Sequence, residues 1–431
     1  MLIVICVALC ALIILSILFF PELKIGKLKL DTYWVIALIG ALILILAGYV
    51  NIKETCSKMF ADTAVNPVKI LVLFLSMTGL SVFLDEVGFF RHAAMLAQKR
   101  ARSSQKALFL YLYITVAVLT VFTSNDIIIL TFTPFICYFA KHAGISPIPY
   151  LVAEFAAANT WSMALIIGNP TNIYIASSFN IGFFEYMRVM LLPTLAAGLV
   201  SFTVLYIIFH KKLMQPIKSD SESTEKQNKP LLIIGLLHLS LCTVILALSS
   251  YLNLAMWIVS LSFFISLIIC VLIACAIKKE PPVYLLRCIR RLPWQLIPFV
   301  LSMFVVVLTL SSHGYTDYIC ALLKNGQAAL NFGFASYLSA NIINNIPMSV
   351  LFVSVLEPLS GKALQAGLYA SIIGSNIGAY LTPIGALAGI MWSSILKKLD
   401  VKFAFADFVK HGIIVSVPTI TAALLTLMLV L

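Results

Sequence analysis

Gly168-Asn169-Pro170-Thr171-Asn172 interrupts a long apolar run in the chain. Proline has no N–H to donate, and its ring clashes with the preceding helical turn. The stretch therefore predicts a broken helix, with Gly168 and Pro170 at the break. A broken helix leaves backbone groups without helical partners, so Asn169, Thr171 and Asn172 become candidates for a polar binding site.

The same signal returns later in the chain. Thr-Pro-Ile-Gly at 382–385 interrupts a run at about 363–396, as the first stretch interrupts the run at about 149–178. Unpaired backbone is tolerated inside a bilayer only where protein buries it or a cavity solvates it. We therefore predict a second break at Pro383 and Gly385, with both breaks facing one polar site.

Two more apolar segments, about 107–140 and 327–357, carry polar residues near their middles. The apolar flanks are about 12–17 residues long, which is short for a helix that must cross about 30 Å of hydrocarbon. We predict two re-entrant hairpins whose polar tips lie at membrane depth. The polar residues near the middles are Ser124, Asn125 and Asp126 in the first segment, and Asn341, Asn344 and Asn345 in the second.

These features repeat in order. Residues 1–210 predict three spans, a hairpin, a broken span and a final span, and residues 230–431 predict the same series. The stretch 211–229 is a polar linker between them. If the hairpins do not cross, each half crosses the membrane five times and the halves are inverted. The predicted fold is an all-α polytopic membrane protein with an inverted repeat, an architecture typical of secondary transporters.

The composition excludes other protein classes. Hydrophobic residues make up 61% of the 431 residues and charged residues only 11%, whereas soluble domains contain about 25% charged residues. A soluble enzyme is excluded. The net charge of +12 lies in loops between apolar runs, which does not suit a nucleic-acid-binding protein, so no nucleic-acid partner is expected. The lipid bilayer is the expected environment.

Loop charge predicts the orientation. With non-crossing hairpins, 22 of the 29 Lys and Arg residues fall in loops on one side. The positive-inside rule places these loops in the cytoplasm. We therefore predict a multi-pass protein of the cytoplasmic membrane with both termini on the extracytoplasmic side.

The tips and breaks contain mostly neutral amide and hydroxyl side chains. Four half-helix ends meeting near the midplane would offer free N–H groups to oxygen atoms and free carbonyls to cations. Two acids, Asp126 and Glu154, lie in the apolar segments, where a carboxylate is costly unless it has a function; both are candidates for proton or cation coupling. The candidate substrate-binding residues are Ser124, Asn125, Asn159, Thr160, Asn169, Thr171, Asn172, Asn344, Asn345, Ser375, Asn376 and Thr382.

Enzyme signatures are not found in the sequence. It has no GxxxxGK[ST] phosphate loop and no HExxH metal motif, and the nine cysteines form no C-x-x-C pair. We expect no catalytic residues, no bound metal and no cofactor other than a coupling ion.

The quoted tips and breaks resemble those of the arsenite/antimonite permease family, within the larger ion transporter superfamily. The resemblance extends in order and spacing over nearly the whole chain. It implies a scaffold and an elevator-type transport domain, usually in a homodimer, with substrate between the tips and the breaks. In that branch a neutral trihydroxide leaves the cell in exchange for protons, and Asp126 is the matching acid. The basic loops could also dock a cytoplasmic ATPase subunit.

Two alternatives stay open. A sodium-coupled carrier of small organic anions such as dicarboxylates or citrate, or a sodium/proton antiporter, belongs to the same superfamily. However, the dicarboxylate branch has Ser-Asn-Thr at its tips, whereas this chain has Asp126 and Ile346 at the third positions. A membrane enzyme or assembly scaffold is the remaining alternative, and it predicts no solute flux.

Overall fold

The computed structural model describes residues 1–20, 22–25, 28–60, 66–101, 104–215, 217, 228–249 and 252–431. Seven helices of this described part are long and apolar enough to cross a membrane. The predicted all-α polytopic fold is confirmed, apart from one short β-hairpin. Most of the predicted linker at 211–229 lies outside the described residues.

The first half begins with a helix and a β-hairpin and ends with a 27-residue helix. In order, its elements are α1 (Leu2–Phe19), β1 (Glu22–Ile25), β2 (Leu28–Asp31), α2 (Thr32–Leu46), α3 (Ile52–Phe60), α4 (Pro67–Glu86), α5 (Phe89–Ala101), α6 (Gln105–Phe122), α7 (Asn125–Ala143), α8 (Ile148–Trp161), α9 (Pro170–Ser178) and α10 (Phe183–Phe209).

The second half repeats this order without the β-hairpin. Its elements are α11 (Lys229–Leu248), α12 (Met256–Lys278), α13 (Val283–Arg291), α14 (Leu296–Ser312), α15 (Tyr315–Leu323), α16 (Ala328–Ile343), α17 (Asn345–Leu356), α18 (Gly361–Gly378), α19 (Leu387–Lys398) and α20 (Phe405–Val430). In each half a short helix, α5 or α15, precedes a helical hairpin, a broken helix and a long final helix.

The helix α4 occupies a central position. About 78% of its apolar window is buried, against 28% for α11 and for α12, whose exposed apolar faces suit lipid. It begins with Pro67 after the N-cap Asn66, whose side chain accepts hydrogen bonds from the Val68 and Lys69 amides. It packs against α11, α12 and α13, and it also contacts α7 and α9.

The two halves pack against each other. The last helices α10 and α20 pack along each other, and α7 of the first half packs along α19 of the second. Within the second half, α16 packs along α18. A separate apolar cluster joins α1, α2, α14 and one face of α4. Within it, Tyr33 and Phe299 make an edge-to-face ring contact with centroids 5.0 Å apart.

The breaks are longer than the sequence suggests and begin earlier. In the first, α8 ends at Trp161 and α9 begins at Pro170, with a 3-10 turn at Ile166–Gly168 between them. In the second, α18 ends at Gly378 and α19 begins at Leu387. Each break therefore spans eight residues, 162–169 and 379–386. Pro170 does not interrupt a helix, because it occupies the first position of α9, where a missing N–H costs nothing.

The hairpin helices also differ from expectation. The helices α6 and α7 have 18 and 19 residues, longer than predicted, whereas α16 and α17 have 16 and 12. Length alone therefore does not mark the first hairpin as re-entrant. The β-hairpin at 22–31 was not predicted, although its strands alternate apolar and polar residues with period two and place Leu23 opposite Leu30.

Candidate functional site

Asn376 of α18 joins the two broken helices. Its Oδ1 accepts hydrogen bonds from Ser162 Oγ (2.8 Å) and Asn169 Nδ2 (2.9 Å). Its Nδ2 donates to Asn172 Oδ1 (2.7 Å) and to the Ile372 carbonyl (2.8 Å). A side-chain amide has two donor hydrogens and two acceptor positions, and Asn376 uses all of them in a fully buried place.

The residues of the first break hold the unwound segment in shape. Asn169 Oδ1 caps α9 by accepting from the Thr171 amide and hydroxyl, both at 3.1 Å. Asn172 Nδ2 donates to the carbonyls of Ser162 (2.8 Å) and Leu165 (3.2 Å). The protein therefore satisfies these three predicted site residues internally, and their first effect is to fix the backbone of the site.

Each hairpin tip lies against the break of its own half. At the first tip, Asn125 Nδ2 donates to Asn159 Oδ1 at 3.0 Å. At the second, the Asn345 amide donates to the Gly385 carbonyl and Asn344 Nδ2 donates to the Ile384 carbonyl, both at 3.0 Å. The contacts differ chemically. In the first half one side chain bonds to another, whereas in the second half a backbone amide and a side-chain amide each donate to a backbone carbonyl.

Three residues that the sequence did not select as binding candidates support the site. Asn341 Oδ1 accepts from both the amide (3.0 Å) and the hydroxyl (2.8 Å) of Thr382. The hydroxyl of Thr160 lies 3.1 Å from that of Tyr380, and Ser162 links the two halves through Asn376. Asn341 was visible as a polar residue in an apolar hairpin, whereas Tyr380 and Ser162 have no distinctive sequence signal.

Four buried polar atoms without a hydrogen-bond partner among the described residues belong to the tips or to α18 shortly before the second break. They are Ser124 Oγ, Asn125 Oδ1, Asn345 Oδ1 and Ser375 Oγ. An unpaired buried polar group costs about 1–3 kcal/mol, so these oxygens are candidate partners for a polar ligand. Seven other buried polar atoms in the described part of the chain also lack a partner, so the position of these four at or near the tips and breaks is what makes them candidates.

The electrostatics of the region come from the backbone. The helices α7, α9, α17 and α19 all begin at a tip or a break, and a helix N-terminus carries a partial positive charge. At α9 and α17 the first amides are already bonded: the Thr171 amide donates to Asn169 Oδ1, and the Asn345 and Ile346 amides donate to the Gly385 carbonyl and to Asn344 Oδ1. Neither the breaks at 162–169 and 379–386 nor the tip residues 123–125 and 344–345 include a Lys, Arg, Asp or Glu residue. The site therefore favours oxygen atoms without supplying a fixed cation to pair with an anion.

A large open cavity reaches the second break. Its volume is about 930 Å³, and it is lined by Phe20, Leu130, Pro383, Ile384 and Lys398 among others. Besides Lys398, the basic loop at 396–404 contributes Lys397, Phe403 and Ala404 to the lining.

Asp126 lies on the same helical face as Leu130, one turn earlier on α7. Its side chain is partly exposed and forms no hydrogen bond or ion pair with any residue that the structure describes. Leu130 lines the open cavity, whereas Asp126 is not among the residues that line it. It does not contribute to the amide network around Asn376.

Glu154 faces the first hairpin. The Thr133 hydroxyl of α7 lies 3.0 and 3.1 Å from its two carboxylate oxygens, and only 2% of Glu154 is exposed. No Lys, Arg or His of the described residues forms an ion pair with it. Thr133 lies seven residues after Asp126, which corresponds to about 10 Å along α7.

Gly168 is required by close packing at the first break. A Cβ on this residue would overlap the backbone carbonyl of Ser162, and a Cβ on Gly385 would lie 2.8 Å from Asn341 Oδ1 and from the Gly378 carbonyl. Both glycines let the unwound backbone approach its neighbours. Pro383 lies within the second break and lines the open cavity.

Among the described residues, no group of three or more His, Cys, Asp or Glu could hold a metal ion.

Residues 29–374 match the family of citrate transporters (CitMHS). The chain belongs to this family. It is also 27% identical over 367 residues to an arsenical pump membrane protein of Escherichia coli, with 83% of this chain and 85% of the relative covered. A putative arsenical pump membrane protein of Bacillus subtilis is 23% identical over 409 residues, with 88% and 90% covered. The predicted relationship to the arsenite permeases is confirmed, and the chain is a membrane transporter.

A solved structure, the YdaH transporter of Alcanivorax borkumensis, covers 99% of this chain and 97% of its own, with a TM-score of 0.50 and 13% sequence identity. At this identity the similarity concerns the fold alone. It extends over both halves of the chain and agrees with an all-α polytopic transporter.

Proposed function

We propose that this transporter exports arsenite or antimonite from the cytoplasm as the neutral trihydroxide, in exchange for protons. The observation that carries the proposal is a site without a fixed cation that holds four unpartnered buried oxygens, Ser124 Oγ, Asn125 Oδ1, Asn345 Oδ1 and Ser375 Oγ. A trihydroxide has three O–H donors for these amide and hydroxyl oxygens, and the partial positive charge at the starts of α7 and α17 favours its own oxygens.

The absence of Lys and Arg at the tips and breaks favours a neutral solute over an anion, and the acid next to the first tip, Asp126, is negative when ionised. A carboxylate substrate would gain most from a bidentate Arg or a fixed Lys, and neither occurs there. The arsenical pump relatives, which cover most of this chain, support the same substrate class. No cofactor enters this scheme other than the coupling ion.

Asp126 is the proposed coupling acid. It is partly exposed and has no ion-pair partner among the described residues, and it lies one turn before Leu130 of the open cavity, from which a proton could reach it. Glu154, held by Thr133 about two turns further along α7, is the second candidate and could relay the proton through the buried part of the hairpin. Sodium is the alternative coupling ion.

The location and assembly are part of the proposal. The loop charges support insertion into the cytoplasmic membrane with both termini outside, so the open cavity would face the cytoplasm. The resemblance to the arsenite permeases suggests a homodimer, and the basic loops offer a surface to a cytoplasmic ATPase subunit. Reporter fusions at both termini and the mass of the detergent-solubilised complex would test these points.

A second candidate is a sodium-coupled carrier of a small organic anion. The match of residues 29–374 to the citrate transporters favours it, and the four helix N-termini could bind carboxylate oxygens. The two proposals differ in the ion that drives transport and in the charge of the solute.

Flux into everted membrane vesicles separates them. We expect arsenite uptake that requires an imposed proton gradient, stops when an uncoupler is added, and continues without sodium. Citrate uptake in the same vesicles should be no greater than in vesicles without the protein. Sodium-dependent citrate uptake without arsenite uptake would replace the first proposal by the second, and no flux of either solute would contradict both.

A further inference from the structure

A small second cavity lies between α4 and the first hairpin tip; we call it the tip cavity. Its free volume is about 10 Å³, which corresponds to about one water-sized group. It is separate from the open cavity on the other side of the hairpin. The residues that line it are Phe74, Met77, Thr78, Ser81, Thr123, Ser124, Ile167, Pro170 and Ile173.

Two hydroxyls that line the tip cavity are buried without a partner among the described residues. Thr78 is 3% exposed and Ser124 is 7% exposed, and neither Thr78 Oγ1 nor Ser124 Oγ forms a hydrogen bond. They belong to different elements, α4 and the hairpin tip, yet both line one space. Ser81, one turn after Thr78 on α4, adds a third hydroxyl to the same wall.

A hydrogen bond between α4 and α7 shows how the two helices are aligned beside Thr78. Seven residues further along each helix, Asp85 of α4 accepts a 2.6 Å hydrogen bond from Thr131 of α7. Seven residues correspond to nearly two helical turns. The helices α4 and α7 therefore run side by side, with Thr78 level with Ser124 and Asp85 level with Thr131, so the tip cavity follows from the docking of the hairpin on α4.

We propose that Thr78 and Ser81 complete a subsite with Ser124 that binds one hydroxyl group of a neutral, hydroxylated solute. Through this subsite α4, which lies outside the tips and breaks, takes part in solute selection. The inference rests on the proposed function, because it takes the transported trihydroxide as the hydroxylated solute.

The chemistry of the lining decides the ligand class. A hydroxyl side chain both donates and accepts one hydrogen bond, so facing hydroxyls match an O–H group that also does both. No charged side chain lines the tip cavity. A bare cation would lack a carboxylate to balance its charge, and an anion would lack a cationic partner. The space admits one oxygen, so the rest of the solute would lie toward the unpartnered oxygens of the tips.

The test is arsenite and antimonite flux in everted vesicles with the variants Thr78→Val, Thr78→Ser and Ser81→Ala. Thr78→Val keeps the shape and removes the hydroxyl, and we expect the half-saturating solute concentration to rise about 3- to 10-fold, as for the loss of one hydrogen bond. Thr78→Ser restores a hydroxyl and should return the value to within about twofold of wild type. Ser81→Ala provides an independent readout if Thr78→Val fails to fold.

Thr309→Val is the matched control. Thr309 is equally buried on α14, but its hydroxyl bonds to the Val305 carbonyl of its own helix at 2.7 Å. Wild-type flux with unchanged half-saturation in both Thr78→Val and Ser81→Ala would overturn the subsite and leave the proposed function intact. If the wild-type protein moves no trihydroxide at all, the proposed function and the ligand of this subsite fail together.

Discussion

Thr131 of the first hairpin donates a hydrogen bond of 2.6 Å to the Asp85 carboxylate at the end of α4. Arg291 of α13 holds the other oxygen of Asp85 at 2.6 Å and reaches Glu86 at the same distance. One guanidinium therefore connects the two halves of the chain at a point where the hairpin docks. The Asp85 and Glu86 side chains are only 10% and 9% exposed, so their charges depend on Arg291.

Replacing Arg291 should destabilise the protein. Arg291→Ala would leave two poorly exposed carboxylates side by side without a cation. Removing one partner of a fully buried pair costs about 3–5 kcal/mol, and because Arg291 is itself 37% exposed, we expect about 1–3 kcal/mol. Thermal unfolding in detergent should show a clear drop in melting temperature.

Arg291→Lys is the informative control, since it keeps the charge but cannot bridge two carboxylates with a planar fork. It should fall between wild type and Arg291→Ala. An unchanged melting temperature in Arg291→Ala would show that water satisfies both acids and that the bridge does not hold the two halves together.

Asn376 should be essential for transport. Asn376→Ala would leave Asn169 Nδ2 and Asn172 Oδ1 without their hydrogen-bond partner in a fully buried place, whereas Ser162 Oγ can still donate to the Asn159 carbonyl. At about 1–3 kcal/mol for each unsatisfied group, we expect transport to fall about 100-fold or more, because about 3 kcal/mol corresponds to a factor of about 100. Vesicle flux, normalised to the amount of folded protein, measures this loss.

The matched control for Asn376 is Asn331→Ala. Asn331 Nδ2 also donates two hydrogen bonds, but to the carbonyls of Leu323 and Asn325 in the turn before the second hairpin. Its loss should change flux by no more than about threefold. Equal effects of the two substitutions would mean that the Asn376 network has no special part in the transport site.

The sequence predicted breaks at 168–172 and 382–385, whereas the structure unwinds at 162–169 and 379–386, and no local pattern predicts how the two halves connect. In the first half, Asn125 at the hairpin tip bonds to Asn159 of the broken helix, on α8. Asn345 and Asn376 hold the corresponding positions in the second half, so the repeat suggests that they also pair. Asn376 instead bonds to Asn169 and Asn172 of the first half. Such a contact depends on the packing of α18 against α8 and α9 over more than 200 residues of separation, which no local pattern encodes.

Helix ends show the same limit. Pro170 was predicted at the first break, but it is the first residue of α9, because Asn169 caps this helix and a proline is tolerated at its first position. The chain unwinds earlier, after Trp161. The alternation of apolar and polar residues in 22–25 and 28–31 is a strand signal, but the segment is short and its charged residues are equally typical of a cytoplasmic loop.

Gly168 should tolerate no side chain. A Cβ there would meet the rigid backbone carbonyl of Ser162, so Gly168→Ala should displace the break and abolish flux. Gly48→Ala is the control: Gly48 has φ of 75° and open space around it, so only the backbone preference is lost, at a cost of about 1 kcal/mol. Flux in Gly168→Ala close to that of Gly48→Ala would show that the break can shift without loss of function.

Substitution of Asp126 should distinguish solute binding from coupling to protons. Asp126→Asn keeps the size of the side chain but cannot carry a proton, so we expect uphill arsenite export to disappear. Exchange of labelled arsenite at equal concentrations on both sides of proteoliposomes should persist, because the tip and break residues that bind the solute are unchanged. The loss of one acid from the first turn of α7 should cost no more than about 1 kcal/mol of stability.

Glu154→Gln tests whether the proton passes beyond Asp126. The substituted amide retains an oxygen that can accept from Thr133, so the contact between α7 and α8 should survive. If the relay includes Glu154, this variant also loses uphill export and keeps exchange, whereas Glu185→Gln, an exposed acid at the start of α10, keeps both. Uphill export by Asp126→Asn at the wild-type rate would exclude Asp126 as the coupling acid. If that result were combined with loss of uphill export in Glu154→Gln, coupling would move to the buried carboxylate held by Thr133.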